Sequence, residues 1–429
     1  MGLLSGDKLI IGYDLGYENA QISFSAASDG TVETLSQVAG EEKYNIPTAL
    51  CKRYGTNQWL YAKEALRAAQ EDQGVLVENL LALALDGEPI IVDGESFDPV
   101  ALLTLFFKRS MGSLKASSMV VTCPMLDHRA IEVLGQVAGN AELKTDKIFF
   151  QGYGESFYSY MLGQPEELWL HQSVLFAYRR DSVRMYRLEC NRRTRPIVVF
   201  VEEKEYPFFG YPYPAKVSYE EMDQSFLQIA QEACGGRPVG SVYLIGEGFS
   251  EEWMKDSLRF LCRGRRVFQG NNLFSKGACR GMQERLLPSE AGKGHVFLGK
   301  DKLKANVGMG ILRQGEESYY ALLDAGVNWY EAEQTVEIYM QGGNELALTI
   351  TPLIRRRSQG NEGGSANCGR TAVIALDGLP QGPARIRLRL FMESEDCLSV
   401  EAEDLGFGQF RMPSGRTWKE IIEIYKAMR

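Results

Sequence analysis

Histidine is nearly missing from this sequence, with three residues in 429. Eight cysteines, at 51, 123, 190, 234, 262, 279, 368 and 397, are scattered without any C-x-x-C pair. So few imidazoles and so wide a scatter of thiols exclude zinc-finger spacing and argue against a disulfide framework. Free thiols fit a reducing compartment. Cys51, Cys123 and Cys262 stand among apolar neighbours and are expected to be small buried hydrophobes. No apolar run reaches the roughly 18 residues of a membrane span. No charged segment leads into a long apolar core near the N-terminus, so a soluble, cytoplasmic protein without a signal peptide or membrane partner is expected.

Positive charge is also in deficit. Lys and Arg number 47 against 56 Asp and Glu, a net charge of −9, which disfavours a nucleic-acid partner because the phosphate backbone demands a basic surface. The short basic runs at 179–180, 192–193, 263–266 and 355–357 read as solvated faces.

What is present describes a folded chain. Hydrophobic residues make up 45% and charged ones 24%, a globular composition, and the length calls for two or three domains. Residues 8–25 read as a strand pair and 61–85 as helix. Asp98 caps a helix that opens on Pro99. Residues 118–123 read as a buried strand, 127–139 as a capped helix and 147–150 as a strand, with another helix from 156. This alternation predicts a mixed or parallel sheet flanked by helices. Antiparallel strands follow over 173–207, then a helix at 219–234, a strand at 241–245 and a helix at 250–261. Beyond 305, Gly/Asn turns separate short alternating strands, the pattern of a β-sandwich. The tract 358–369 reads as a flexible loop, and Trp418, Ile421, Ile422, Ile424 and Tyr425 suggest a short amphipathic helix over 417–429.

Within the first strand pair, Asp14-Leu15-Gly16 marks a bend that admits two readings. One is an ordinary hairpin turn. The other is a phosphate cradle, with backbone N–H groups aimed at an anion and Asp14 holding Mg²⁺ through its water shell.

Five segments bear on that choice. They are Ile11 to Gly16; Ile46 to Leu50 with Tyr61 to Ala65; Phe97-Asp98-Pro99 through Val120 to Pro124, Arg129 and Ala138-Gly139; Phe150 to Ser156; and Val242 to Phe249 with Leu273 to Cys279. In this order they resemble the actin and seventy-kilodalton heat-shock chaperone superfamily. The resemblance implies a two-lobed, ribonuclease H-like α/β ATPase fold over residues 1–304 and the cofactor ATP or ADP with Mg²⁺. It implies nucleotide contacts from Asp14, Leu15, Gly16, Tyr17 and Asn19 in the first loop, with Asp14 as metal ligand, from Arg179 and Arg180 in the second, and from Gly246, Gly248 and Phe249 in the adenosine motif. Gln151 falls where actin-type members orient the attacking water; it equally reads as a strand-end residue bonded to a loop. Residues 305–416 resemble the chaperones' β-sandwich client domain, most closely over Leu376 to Asp404.

Departures limit what the resemblance carries. The second phosphate loop should be an Asp followed by glycines, but the matching positions are Ala177, Tyr178, Arg179 and Arg180. Side chains there crowd the place where backbone must reach the anion. Glu18 brings a like charge to the first loop, and most of the subdomain that clamps adenine is missing. A degenerate, chaperone-like pseudo-ATPase is therefore expected, acting as a scaffold or docking module on protein partners or unfolded segments through its β-domain. The alternative is an active ATPase of the same superfamily, forming filaments or transferring phosphate.

Overall fold

The computed structural model describes residues 9–26, 30–143, 145, 147–210, 217–250, 252–352 and 369–424. It divides into two compact units, Met1–Phe297 and Leu298–Arg429.

The first unit opens with β1 (Leu9–Leu15), β2 (Asn19–Ala26), β3 (Glu33–Thr34) and β4 (Ile46–Pro47). A small sheet of β5 (Ala49–Arg53), β6 (Trp59–Tyr61) and β7 (Gly74–Glu78) holds α1 (Ala62–Gln70) between its last two strands. Next come α2 (Leu80–Asp86), the hairpin of β8 (Ile90–Val92) and β9 (Glu95–Phe97), and α3 (Pro99–Met111). The expected helix over 61–85 is thus two short helices split by a strand. Val75 and Val77 fit a sheet, and at Gly74 a Cβ would collide with the Lys52 carbonyl, so the backbone of β7 closes tightly on β5. Asp98 accepts from the Val100 amide at 3.0 Å and Pro99 takes the first helical position, as the sequence predicts for α3.

Two five-strand cores then build the unit. In the first, β10 (Ala116–Cys123), α4 (His128–Asn140), β11 (Lys147–Gly152) and α5 (Tyr153–Leu162) follow the opening strands, in the sheet order β11-β10-β1-β2-β3. The second comprises β12 (Gln172–Tyr178), β13 (Ser182–Asn191), β14 (Ile197–Pro207), α6 (Tyr219–Ala233), β15 (Val239–Ile245), α7 (Asp256–Leu261), β16 (Arg266–Gly270) and α8 (Leu273–Leu286). Its order is β16-β15-β12-β13-β14, with β17 (His295–Phe297) added after the short α9 (Glu290–Gly294). The two orders are the same pattern. In each, the first three strands run antiparallel and the next two join the first in parallel.

The last helix of each core crosses to the other sheet. Phe157, Tyr158 and Met161 of α5 bury against Leu175, Tyr186 and Val199 of the second sheet. Ala278, Cys279 and Met282 of α8 bury against Ile10 and Val120 of the first. Close approach is made by glycine: a Cβ on Gly12 would strike the α8 backbone at Ser275 and Cys279, and one on Gly277 would overlap the Ser156 carbonyl of α5.

Of the helix expected at 250–261, Asp256–Leu261 is α-helical among the described residues. Cys51 and Cys123 are buried as expected, but Cys262 is exposed just past the end of α7.

The second unit carries two four-stranded antiparallel sheets. They are formed by β18 (Ala305–Arg313), β19 (Glu316–Leu323), β20 (Glu333–Met340), β21 (Glu345–Pro352), β22 (Arg370–Ala375), β23 (Ala384–Met392), β24 (Cys397–Asp404) and β25 (Thr417–Glu423). Their orders are β19-β18-β21-β22 and β20-β23-β24-β25. Along β23, Ile386, Leu388 and Leu390 are buried while Arg387 and Arg389 face out to Glu333, Glu337, Glu401 and Glu403, the alternation of a strand with one wet face. The expected C-terminal helix is a correction: Thr417–Glu423 is a strand paired along β24. The tract 358–368 and residues 425–429 lie outside the described residues.

Candidate functional site

Equivalent hairpins of the two cores meet at one cavity. In the first, Asp14 pairs with Gln21 and Leu15 with Ala20 before the turn at 16–18; in the second, Ala177 pairs with Arg184 and Tyr178 with Val183 before the turn at 179–181. Asp14 and Ala177 therefore occupy matching places. The cavity of about 320 Å³ lies between the hairpin tips and the ends of β15 and β16, and its wall includes Asp14, Gln21, Tyr153, Arg179, Glu247 and Asn271.

Asp14 ends a fully buried strand, so its carboxyl has little water. Burial raises it from the ordinary 3.8 to about 7, although the Tyr153 hydroxyl and the Arg179 guanidinium both favour the charged form. Tyr153, at the first turn of α5, donates its O–H to Asp14 Oδ1 at 2.7 Å. Its phenol is pushed well above the usual range by burial and by the Asp14 charge, which keeps it a donor. The ring is held by stacking on Phe274 of α8, with centroids 3.8 Å apart, and the Arg179 guanidinium lies 5.9 Å from its centre.

A second polar cluster shares the cavity. Gln21 donates from Nε2 to Asn45 Oδ1 (2.6 Å) and to the Asn271 carbonyl (2.8 Å), while Asn45 donates to Glu247 Oε1 (2.7 Å). Glu18, at the first tip, has its carboxyl raised by the loss of surrounding water, partly offset by Arg180 and Arg179. Glu205 pairs with Arg184 and accepts from Ser182 at 2.8 Å, which together hold it below the ordinary carboxylate range against a partial loss of surrounding water.

Of the residues expected to bind nucleotide, Asp14, Gly16, Tyr17, Asn19, Arg179, Arg180, Gly246 and Gly248 line this cavity. Leu15 is turned into the first core and Phe249 into the second. Gln151 is also set back from the cavity wall. It is fully buried and donates to Ser156 Oγ at 2.7 Å, so its partner is helix α5 and not a loop. The two glycines of the expected adenosine motif are spent on the chain itself. A Cβ on Gly246 would lie 2.5 Å from the Tyr178 carbonyl, and one on Gly248 would lie 2.6 Å from the Tyr178 ring. That ring packs among Phe249, Phe208 and Trp253.

A model for the C-terminal part of DUF5716, a family of unknown function, matches residues 31–300. The chain belongs to this family. The match spans Tyr153, Arg179 and both glycines, and it starts beyond the Asp14 hairpin. Residues 302–424 match DUF8552, a domain of unknown function. No curated protein matches the chain.

Sequence reasoning missed Tyr153, Gln21, Asn45, Glu247 and Asn271 as parts of the site, and named Tyr178 only as one of the side chains crowding the second loop. Tyr153 was within reach, since it stands inside the stretch Phe150 to Ser156 that resembles the superfamily and puts a bulky ring next to a position expected to face ligand.

Proposed function

We propose that the first unit is an actin-like fold of the heat-shock type whose cleft has lost metal–nucleotide chemistry, and that the protein works as a scaffold or docking module rather than an ATPase. Support for the fold reading comes from the repeated strand order and the exchanged helices α5 and α8, an architecture that closes a ligand cleft between matching hairpins.

One observation carries the loss of chemistry. The carboxylate that would hold a metal is already engaged by the chain's own Tyr153 hydroxyl, with Arg179 beside it. A triphosphate with Mg²⁺ fits these residues poorly. The second hairpin tip offers arginine side chains in place of glycine backbone, Tyr178 fills the space beside Gly248, and Glu18 and Glu247 add like charge. Docking is assigned to the second unit, whose protein partner would meet its β-strand surfaces.

The test is a thermal-shift titration with ATP or ADP, with and without Mg²⁺, beside a steady-state hydrolysis assay. Binding to the folded state raises the melting temperature by mass action. The expected result is micromolar or weaker affinity, no added effect of Mg²⁺, and no hydrolysis that Asp14→Ala removes. Nanomolar Mg²⁺-dependent binding, or turnover abolished by Asp14→Ala, overturns the reading.

A further inference from the structure

Two residues that line the cavity each carry a buried polar atom without a hydrogen-bond partner among the described residues: Arg179 Nη2 and Gln21 Oε1. Gln21 is 6% exposed, and its orientation is set by its neighbours. Its Nε2 faces two acceptors, Asn45 Oδ1 and the Asn271 carbonyl, so the oxygen is the end left without a donor. A guanidinium N–H and an amide oxygen left without partners on two residues that line one cavity are unfavourable unless something completes them, because a buried polar group without a partner loses its hydration for nothing. The stranded donor asks for an anion and the stranded acceptor asks for a hydrogen-bond donor.

The remaining charges narrow the ligand. Asp14, Glu18, Asp181, Glu205 and Glu247 line the cavity against Arg179 and Arg180. Such a wall repels a polyanion, yet its carboxylates accept readily from hydroxyl groups. The volume of about 320 Å³ suits a compact molecule.

Resting on the reading that the cleft works without a metal, we infer that it binds a small anion of one or two charges whose body carries hydroxyl donors, the anionic group on Arg179 and a hydroxyl on Gln21 Oε1. A phosphate monoester of a short polyol has this chemistry. Arg179 supplies a charge-assisted bond in a partly desolvated place, where it is strongest. Gln21 supplies discrimination, since a ligand lacking the hydroxyl leaves its oxygen stranded.

The test uses the full chain in EDTA and two probes, inorganic phosphate and glycerol 3-phosphate, against chloride at matched ionic strength, read by calorimetry and melting temperature. The expected result is saturable binding of both probes, with glycerol 3-phosphate the tighter. Arg179→Gln should weaken both by roughly tenfold or more, the loss of one charged hydrogen bond. Gln21→Leu should leave phosphate binding in place and erase the advantage of glycerol 3-phosphate. The inference is overturned if wild-type protein shows no phosphate binding beyond the chloride control, or if Arg179→Gln retains it. Equal affinity for the two probes overturns the role of Gln21. Arg179-dependent binding that appears only when Mg²⁺ is added would instead defeat the metal-free reading while leaving the arginine as the anion's anchor.

Discussion

The Tyr153 hydroxyl and the Asp14 carboxylate, 139 positions apart in the chain, meet at 2.7 Å where α5 begins and β1 ends. This contact joins the connection between the two cores to the hairpin of the first. It also explains why Asp14, a residue at a place that invites a metal ligand, has an ordinary structural partner.

Its pH dependence can be worked out. Asp14 rises from 3.8 to about 7 in the folded chain, so the folded state holds its proton more tightly than the unfolded one. Stability is then fully present below about pH 4 and is lost as pH rises toward 7, with about 4 kcal/mol at stake across the window. Asp14→Asn keeps an oxygen for the Tyr153 hydroxyl and removes the titration. The variant should gain on wild type by roughly 2–3 kcal/mol between pH 5 and pH 8, measured by urea unfolding. A constant difference over that range would remove Asp14 from the titrating groups.

Two glycines make a matched pair for the helix crossing. Gly277 of α8 faces the Ser156 carbonyl of α5 with no room for a Cβ, whereas Gly135 on the exposed side of α4 has open space around it. Gly277→Ala should destabilise by about 1–3 kcal/mol through overpacking. Gly135→Ala should stabilise by roughly 0.5–1 kcal/mol, because alanine removes freedom from the unfolded chain and suits a helix. Unfolding curves of the two variants moving in the same direction would contradict the crossing geometry.

The C-terminal strand gives a sharper contrast between neighbours. Ile422 is 8% exposed and Ile421 is 54% exposed, as period-two alternation requires. Ile422→Ala should cost about 2–5 kcal/mol by leaving a cavity, and Ile421→Ala should stay within roughly 0.5 kcal/mol. Similar losses at both positions in a thermal melt would restore the helical reading of this segment.

That segment shows where the sequence stops being legible. Trp418, Ile421, Ile422 and Ile424 satisfy a helical stripe, while Ile422 and Ile424 also satisfy an inward strand face. Local pattern cannot choose, and pairing with β24 decides. The same competition misled the reading of 61–85, where Ala, Leu and Glu favour helix but Val75 and Val77 pair with β5. By contrast, β1, β10 and the capped helices α3 and α4 were readable, because a short apolar run rich in Ile and Val and an Asp cap before a helical pattern are each strong local signals. Ala177 was readable as the place where the resemblance puts an Asp, and hairpin register then makes it the counterpart of Asp14. Contacts such as Gln21 to Asn271 join residues 250 positions apart and leave no local trace.

The final prediction concerns Asp404, which organises the long connection from β24 to β25. Its side chain is buried and accepts from both Arg411 nitrogens at 2.8 and 2.6 Å, from the Gly406 amide at 2.9 Å and from the Ser414 amide at 3.0 Å. Gly406 stands at a φ of +72° with backbone at 411–413 pressed against it, so the loop is threaded closely around the carboxylate. Burial alone would raise the Asp404 carboxyl, but these donors win and hold it far below the ordinary carboxylate range. A group depressed in this way stabilises the fold above the unfolded value of about 4 and gives that stability up as pH falls below it. Asp404→Ala leaves Arg411 half-buried without its partner and should cost about 3–5 kcal/mol, the penalty for breaking a buried pair from one side. Asp404→Asn should fall between, since an amide oxygen accepts fewer of these bonds. The measurement is the melting temperature of the three proteins at pH 7 and pH 3. Wild type should approach the variants at the lower pH, and an unchanged gap between wild type and Asp404→Ala from pH 7 to pH 3 would show that the charge of Asp404 does not hold the loop.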